Sequence, residues 1–139
     1  MFDWKKPTVQ MLGRWQPWHD GHQALFKRCV SKTGQVIIQV RDVAGASGGD
    51  GQDDNPFNWD DVCKNIETGL KRDNFLRGVH YEIMLVPNIT NISYGRGVGY
   101  DVIYHEPPEN VAKISGTSIR NGYIDSNGDI IEYPDINDK

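Results

Sequence analysis

The hydrophobic and polar positions of this chain follow two rhythms, one of strands and one of helices. Residues 8–12 read as a first strand, and residues 13–20 form a turn rich in glycine, proline and aromatic side chains. From about residue 21 to residue 32, Leu25, Phe26, Cys29 and Val30 recur at the spacing of one helical face, and Thr33-Gly34 supplies the stop. Residues 35–40 carry the β-branched run Val36-Ile37-Ile38, typical of a strand covered on both faces. Strand, helix and strand in this order predict a parallel βαβ unit. A second helix is expected over residues 60–72, with Val62, Ile66 and Leu70 spaced by four and Phe75 and Leu76 as its extension. Residues 81–86 are a further strand ended by Pro87, and residues 100–104 are the expected next one. Ser126-Asn127-Gly128, between strand-like pieces near Tyr123 and Ile130 to Tyr133, suggests a terminal hairpin.

Two stretches break this pattern. Residues 45–55 hold almost no apolar side chains, so they cannot build a core; they read either as a solvated connector or as a lid over substrate. Tyr94-Gly95-Arg96-Gly97-Val98-Gly99 is Gly-rich, but a strand pattern rather than a helix follows it, so it is not a dinucleotide fingerprint.

Length and composition narrow the picture to one soluble α/β domain. A chain of 139 residues has room for one sheet covered by helices, with a core over about residues 7–121 and an extension over 122–139. Hydrophobic and charged contents of 37% and 24% are ordinary, and no apolar run approaches the ~20 residues that cross a bilayer. No membrane partner is expected. The opening MFDWKK has neither signal-peptide nor presequence character, so the expected compartment is the cytoplasm. Cys29 and Cys63 lack metal-ligand spacing and read as free thiols. A formal net charge of -4 argues against generic nucleic-acid binding. The acid is crowded into residues 50–61 and 125–138, which leaves room for a local basic site for one triphosphate.

The candidate chemistry lies in GRWQPWHDGH, Gly13 to His22, where a strand turns into a helix. Unpaired N–H groups and the positive end of the helix dipole make that place suitable for phosphate, and His19 and His22 add directed donors. Gly13 would let a nucleotide approach the strand end, Gly21 would keep the helix start open, and Pro17 would stiffen the turn. Arg14 reads either as a phosphate or acceptor contact or as an exposed charge. Trp15 and Trp18 read either as stacking on a base or acceptor ring or as packing of the turn against the sheet. Arg41 and Asp42 end the second strand, where a substrate contact and a surface ion pair are both open readings. Tyr94 and Arg96 lie where an acceptor or base loop could be.

His19-Asp20-Gly21-His22 resembles the HxGH signature of the nucleotidyltransferase superfamily that includes cytidylyltransferases and adenylyltransferases. GRxQPxHxGH as a whole is similar to the version in nicotinamide-mononucleotide adenylyltransferases of the archaeal type. Ile114-Ser115-Gly116-Thr117-Ser118-Ile119-Arg120 resembles the second signature, ISxTxxR, and Asn55-Pro56-Phe57 resembles an NPF segment of the same branch. The resemblance covers roughly residues 8–121 and implies a Rossmann-like parallel sheet flanked by helices, with the nucleotide at the strand carboxyl ends.

The same resemblance implies roles. His19 and His22 would contact the triphosphate and stabilise charge on the α-phosphoryl group, with Arg120 as the third catalytic residue. Gly13, Arg14, Gly21, Ser115, Thr117, Ser118 and Arg120 would form the nucleotide site, and Trp15, Arg41, Asp42, Tyr94 and Arg96 are candidates for the acceptor or base. The implied reaction is in-line attack by a phosphorylated small-molecule acceptor on a nucleoside triphosphate, with release of pyrophosphate. Mg²⁺ would ride on the phosphates, with Asp20 and Asp42 as the candidate protein contacts and no all-protein metal site. GRWQP and NPF lean towards ATP over CTP. A cytidylyltransferase, a silent nucleotide-binding module and an interaction module using the acidic loop are the alternatives, and a homo-oligomer is compatible with the sequence. The short, turn-rich region after residue 120 and the abbreviated stretch 88–99 depart from the family pattern where acceptor choice would be made.

Overall fold

The computed structural model describes residues 1–45, 55–95 and 100–105. In these the chain runs β1 (Val9–Gly13), α1 (Asp20–Thr33), β2 (Val36–Arg41), α2 (Trp59–Lys71) and β3 (Tyr81–Val86). The strands form a 3-stranded parallel sheet in the order β1-β2-β3, each pair joined through a helix. This is the small α/β, Rossmann-like arrangement expected from the alternation of the two rhythms. Both crossovers step the same way along the sheet, and right-handed crossovers then put both helices on one face. The buried Gln23 amide of α1, donating to the Gly69 carbonyl of α2 at 2.7 Å, joins them there.

Register lines up Met11, Ile38 and Ile83 in one row across the sheet and Val9, Val36 and Tyr81 in another. Phe26 and Cys29 of α1 and Val62, Ile66 and Leu70 of α2 close over these rows. Cys29 and Cys63 are free, and burial pushes both thiols up from their ordinary pKa. β2 alternates buried and half-buried along its length. That differs from a strand covered on both sides: among the described residues the helices cover one face, and Ile37 and Gln39 on the other are half-buried. No described helix is long and apolar enough to cross a membrane.

Helix ends show how local chemistry sets the boundaries. Gly34 stops α1 in the left-handed conformation, φ 86°, and donates its N–H to the Val30 carbonyl at 2.8 Å. α2 does not run on through Phe75 and Leu76. Asn74 takes φ 65°, its N–H bonds the Lys71 carbonyl at 3.0 Å, and the Phe75 N–H reaches back to the Leu70 carbonyl at 3.1 Å. Those are the two bonds of a Schellman stop with asparagine in the left-handed position, and Phe75 packs onto the core as the apolar partner of that motif.

Residues 100–104, expected as a strand, form none. Tyr100, Val102 and Tyr104 are 66%, 74% and 84% exposed, and no described strand pairs with them. Alternation makes a segment fit for a sheet, but the ladder needs a neighbour. Of the stretch 45–55, the two ends are described and are held together, Gly45 N–H to the Asn55 carbonyl at 2.9 Å. Residues 46–54, Arg96, the ISGTSIR signature and the expected C-terminal hairpin lie outside the described residues.

Candidate active site

The turn after β1 is built from the inside out by two indoles. Trp15 and Trp18 are each 5% exposed, with ring centroids 5.2 Å apart. Trp15 donates its indole N–H to the Gln39 carbonyl at 3.0 Å, and Trp18 donates to Gln23 Oε1 at 2.8 Å. Of the two readings open for these residues, packing is the one realised. A Cβ on Gly13 would come within 2.8 Å of the Trp15 ring, so Gly13 leaves room for the indole. Trp15 itself sits at φ 54°, a left-handed conformation that costs a bulky residue about 1–2 kcal/mol and has to be held by its surroundings.

Beyond Trp15 the chain passes through a cis Gln16–Pro17 bond. The Gln16 side chain donates to the Phe57 carbonyl and accepts the Phe57 N–H, both at 2.9 Å. Arg14 Nη1 donates to Asn55 Oδ1 at 3.1 Å. GRWQP and NPF, 41 residues apart, are therefore fastened to each other by alternate side chains of the first motif.

α1 starts with a cap made of imidazoles. His19 is the N-cap, and its Nδ1 accepts the Gly21 N–H at 3.0 Å. His22 Nδ1 accepts the His19 N–H at 3.2 Å. Side chains and backbone thus satisfy each other reciprocally, as in a capping box, with histidine where serine and glutamate usually stand. The rings stack with centroids 3.7 Å apart and planes at 20°, and Trp15 meets His22 edge-on at 4.8 Å.

This geometry fixes protonation. Burial lowers the His19 pKa to about 4; burial, and then the neighbouring His19, lower that of His22 to about 3. Both rings are neutral near pH 7. Because each Nδ1 accepts a backbone N–H, the hydrogen-bond pattern assigns the single ring proton to Nε2. Neither ε nitrogen is engaged in a hydrogen bond among the described residues. The site offers two neutral N–H donors at the positive end of a 14-residue helix.

The remaining candidates distribute as follows. Gly21 supplies the N–H that orients His19. Asp20 is taken up by Arg72 at 3.2 Å. Arg41 donates through Nε and Nη2 to Asn88 Oδ1 at 3.2 and 2.7 Å, so among the described residues its partner is a neutral amide and not the carboxylate of a surface ion pair. Asp42 is exposed, its N–H on the Val86 carbonyl. Tyr94 is 55% exposed, with the Tyr100 ring at 6.2 Å. Arg96, Ser115, Thr117, Ser118 and Arg120 lie outside the described residues. Sequence reasoning missed Gln16, Asn88 and Gln23 as members of this framework; the signal available was Gln16 next to Trp15 in the turn.

No protein-family model matches the chain. Over 65 residues it is 32% identical to the nicotinamide-nucleotide adenylyltransferase of Methanococcus aeolicus (strain ATCC BAA-1280 / DSM 17508 / OCM 812 / Nankai-3). The matched stretch is 47% of this chain and 36% of that relative, so the similarity is to part of a nucleotidyltransferase.

Proposed function

We propose that this chain is a nucleotidyltransferase that transfers a nucleoside monophosphate, AMP in preference to CMP, from a nucleoside triphosphate to a phosphorylated small-molecule acceptor, releasing pyrophosphate. The observation that carries the reading is the histidine cap: His19 and His22 are held neutral with Nε2–H free to donate at a helix start. Such donors meet the oxygens of the α-phosphoryl group and stabilise charge that builds there as the acceptor oxygen attacks, without taking a proton from the acceptor. The partial likeness to an adenylyltransferase supports the same reaction class and the preference for ATP.

Arg14, half-buried beside this turn, takes phosphate oxygens. Thr117 and Arg120, through their ISxTxxR resemblance, hold the β- and γ-phosphates, and Ser115 and Ser118 belong to the same nucleotide site. With Asp20 paired to Arg72, Asp42 is the exposed carboxylate at the end of β2 that would approach a Mg²⁺ carried by the triphosphate, where the ion would neutralise part of the phosphate charge. Tyr94 and Arg96 contribute acceptor or base contacts.

Pyrophosphate release from ATP and from CTP, with Mg²⁺ and a panel of phosphorylated acceptors, tests the reading. ATP-dependent release is expected, and His22→Ala is expected to lower its rate at least about a hundredfold while the far-ultraviolet circular dichroism is kept. Undiminished turnover in that variant excludes the site, and faster turnover with CTP reverses the base preference.

A further inference from the structure

At the carboxyl edge of the sheet, arginines end two neighbouring strands. Gly13 of β1 lies opposite Val40 of β2, so Arg14 and Arg41 occupy the next register position on each. Both are half-buried. Among the described residues neither is paired with a carboxylate, whereas Arg72 faces Asp20 and Arg77 faces Glu67 and Glu82. Each is held by an asparagine instead: Arg14 by Asn55 and Arg41 by Asn88.

An amide and a carboxylate can orient a guanidinium equally well, but only the carboxylate cancels its charge. Two cations on neighbouring strand ends, each oriented by a neutral amide, make a place that an anion can enter. The amides are themselves well placed. Asn55 is 5% exposed and its carbonyl accepts the Gly45 N–H, while Asn88 lies in a γ-turn closed by the Ile89 N–H on the Pro87 carbonyl at 2.7 Å. With Nη1 of Arg14 engaged, its Nε and Nη2 remain for a ligand; with Nε and Nη2 of Arg41 engaged, Nη1 remains.

We propose that Asn55 and Asn88 are positioning residues that aim Arg14 and Arg41 at the anionic groups of a phosphorylated substrate while leaving both free of a carboxylate partner among the described residues. The inference rests on the nucleotidyl-transfer reading and deepens it: the edge of β1 and β2 is a second phosphate-binding element, separate from the histidine cap.

The test uses the full chain and inorganic tripolyphosphate as the probe, titrated calorimetrically at two salt concentrations. Asn88→Asp retains the oxygen that holds Arg41 and adds a cancelling charge. It is expected to weaken binding roughly fivefold and flatten the salt dependence, with the thermal midpoint of the free protein unchanged or raised. Arg41→Gln added to Asn88→Asp is expected to cost little more, because the charge it removes is already cancelled. Asn55→Asp is expected to act likewise on Arg14.

Parent-like binding by Asn88→Asp and Asn55→Asp overturns the proposal, as does weakening accompanied by a lower thermal midpoint, which marks a structural role. If the parent chain releases pyrophosphate while both variants bind the probe normally, this inference falls alone. If the parent neither binds the probe nor releases pyrophosphate, the functional reading falls with it.

Discussion

The Gln16 side-chain amide grips the backbone of Phe57 from both directions, donating to its carbonyl and accepting its N–H at 2.9 Å each. Gln16 is 5% exposed and Phe57 is half-buried, so water can replace these two bonds only in part. Through this pair the start of α2 is registered against the turn that carries His19 and His22. Gln16→Leu keeps the approximate volume but strands both backbone groups, and it is expected to cost about 2–3 kcal/mol of stability. Urea denaturation checks this. A smaller loss of affinity for tripolyphosphate should accompany it, since Asn55 sits two residues from the released Phe57.

Gly69 offers a case where two effects of opposite sign compete. It lies inside α2, where alanine would ordinarily gain about 1 kcal/mol over glycine. A Cβ there would stand 2.8 Å from Trp18 Cδ1 and 3.0 Å from its Nε1, and Trp18 is fixed by its bond to Gln23. Overpacking of a ring that cannot retreat costs about 1–3 kcal/mol, so steric cost is expected to win. Gly69→Ala should therefore lower the thermal midpoint, and the double variant Gly69→Ala with Trp18→Phe should recover part of the loss. A gain in stability from the single variant would show that the ring moves freely.

Most of the fold was legible because it rests on local period. The β-branched run at Val36, the spacing of Val62, Ile66 and Leu70, and the Gly34 stop each announce an element through their own neighbours in sequence. What was not legible depends on partners distant in the chain. Tyr100, Val102 and Tyr104 alternate like a strand and pair with none among the described residues. Asn74 ends α2 through a left-handed turn that glycine would have advertised and asparagine does not.

The candidate site divides the same way. The position of His19 and His22 at a helix start follows from the sequence, but their use of Nδ1 to cap that helix, and hence their tautomer, does not. An indole can stack on a ligand or pack a turn, and only the Gln39 carbonyl and the space at Gly13 decide for packing at Trp15. Asn88 after Pro87 reads as a turn residue until Arg41 is seen to rest on it.

Gln23 ties three elements together. Its Nε2 donates to the Gly69 carbonyl at 2.7 Å and to Asp73 Oδ2 at 2.8 Å, and its Oε1 accepts the Trp18 indole N–H at 2.8 Å. Those Gln23 and Lys27 bonds are why the Asp73 carboxyl is held below its ordinary pKa. Gln23→Ala leaves a buried indole N–H unpaired and opens a small cavity, for a loss of about 2–4 kcal/mol. Because Trp18 borders His22, at 5.4 Å between centroids, its fluorescence should shift to the red in the same variant as water reaches it. Loss of stability without that shift would place the damage at α2 instead.

The lowered histidine pKa values make stability depend on pH in a definite direction. In the unfolded chain each histidine titrates near 6.5, whereas in the folded chain His19 and His22 stay neutral until about 4 and about 3. Between those values the unfolded state binds more protons than the folded one, so acid pulls the equilibrium towards unfolding, by about 1.4 kcal/mol per pH unit for each histidine. The loss begins as pH falls through 6.5 and ends only below the folded values; above pH 7 the two contribute no slope. From pH 7 to pH 5 the parent chain should therefore lose up to about 4 kcal/mol through this pair, an upper bound because water reaching Nε2 reduces the desolvation. The variant His19→Asn with His22→Gln retains side-chain acceptors for the cap and should lose far less over the same interval. Denaturant midpoints at pH 7, 6 and 5 for both chains measure the difference. Equal pH slopes would mean that the two imidazoles titrate in the folded chain near their unfolded value, so that burial does not hold them neutral.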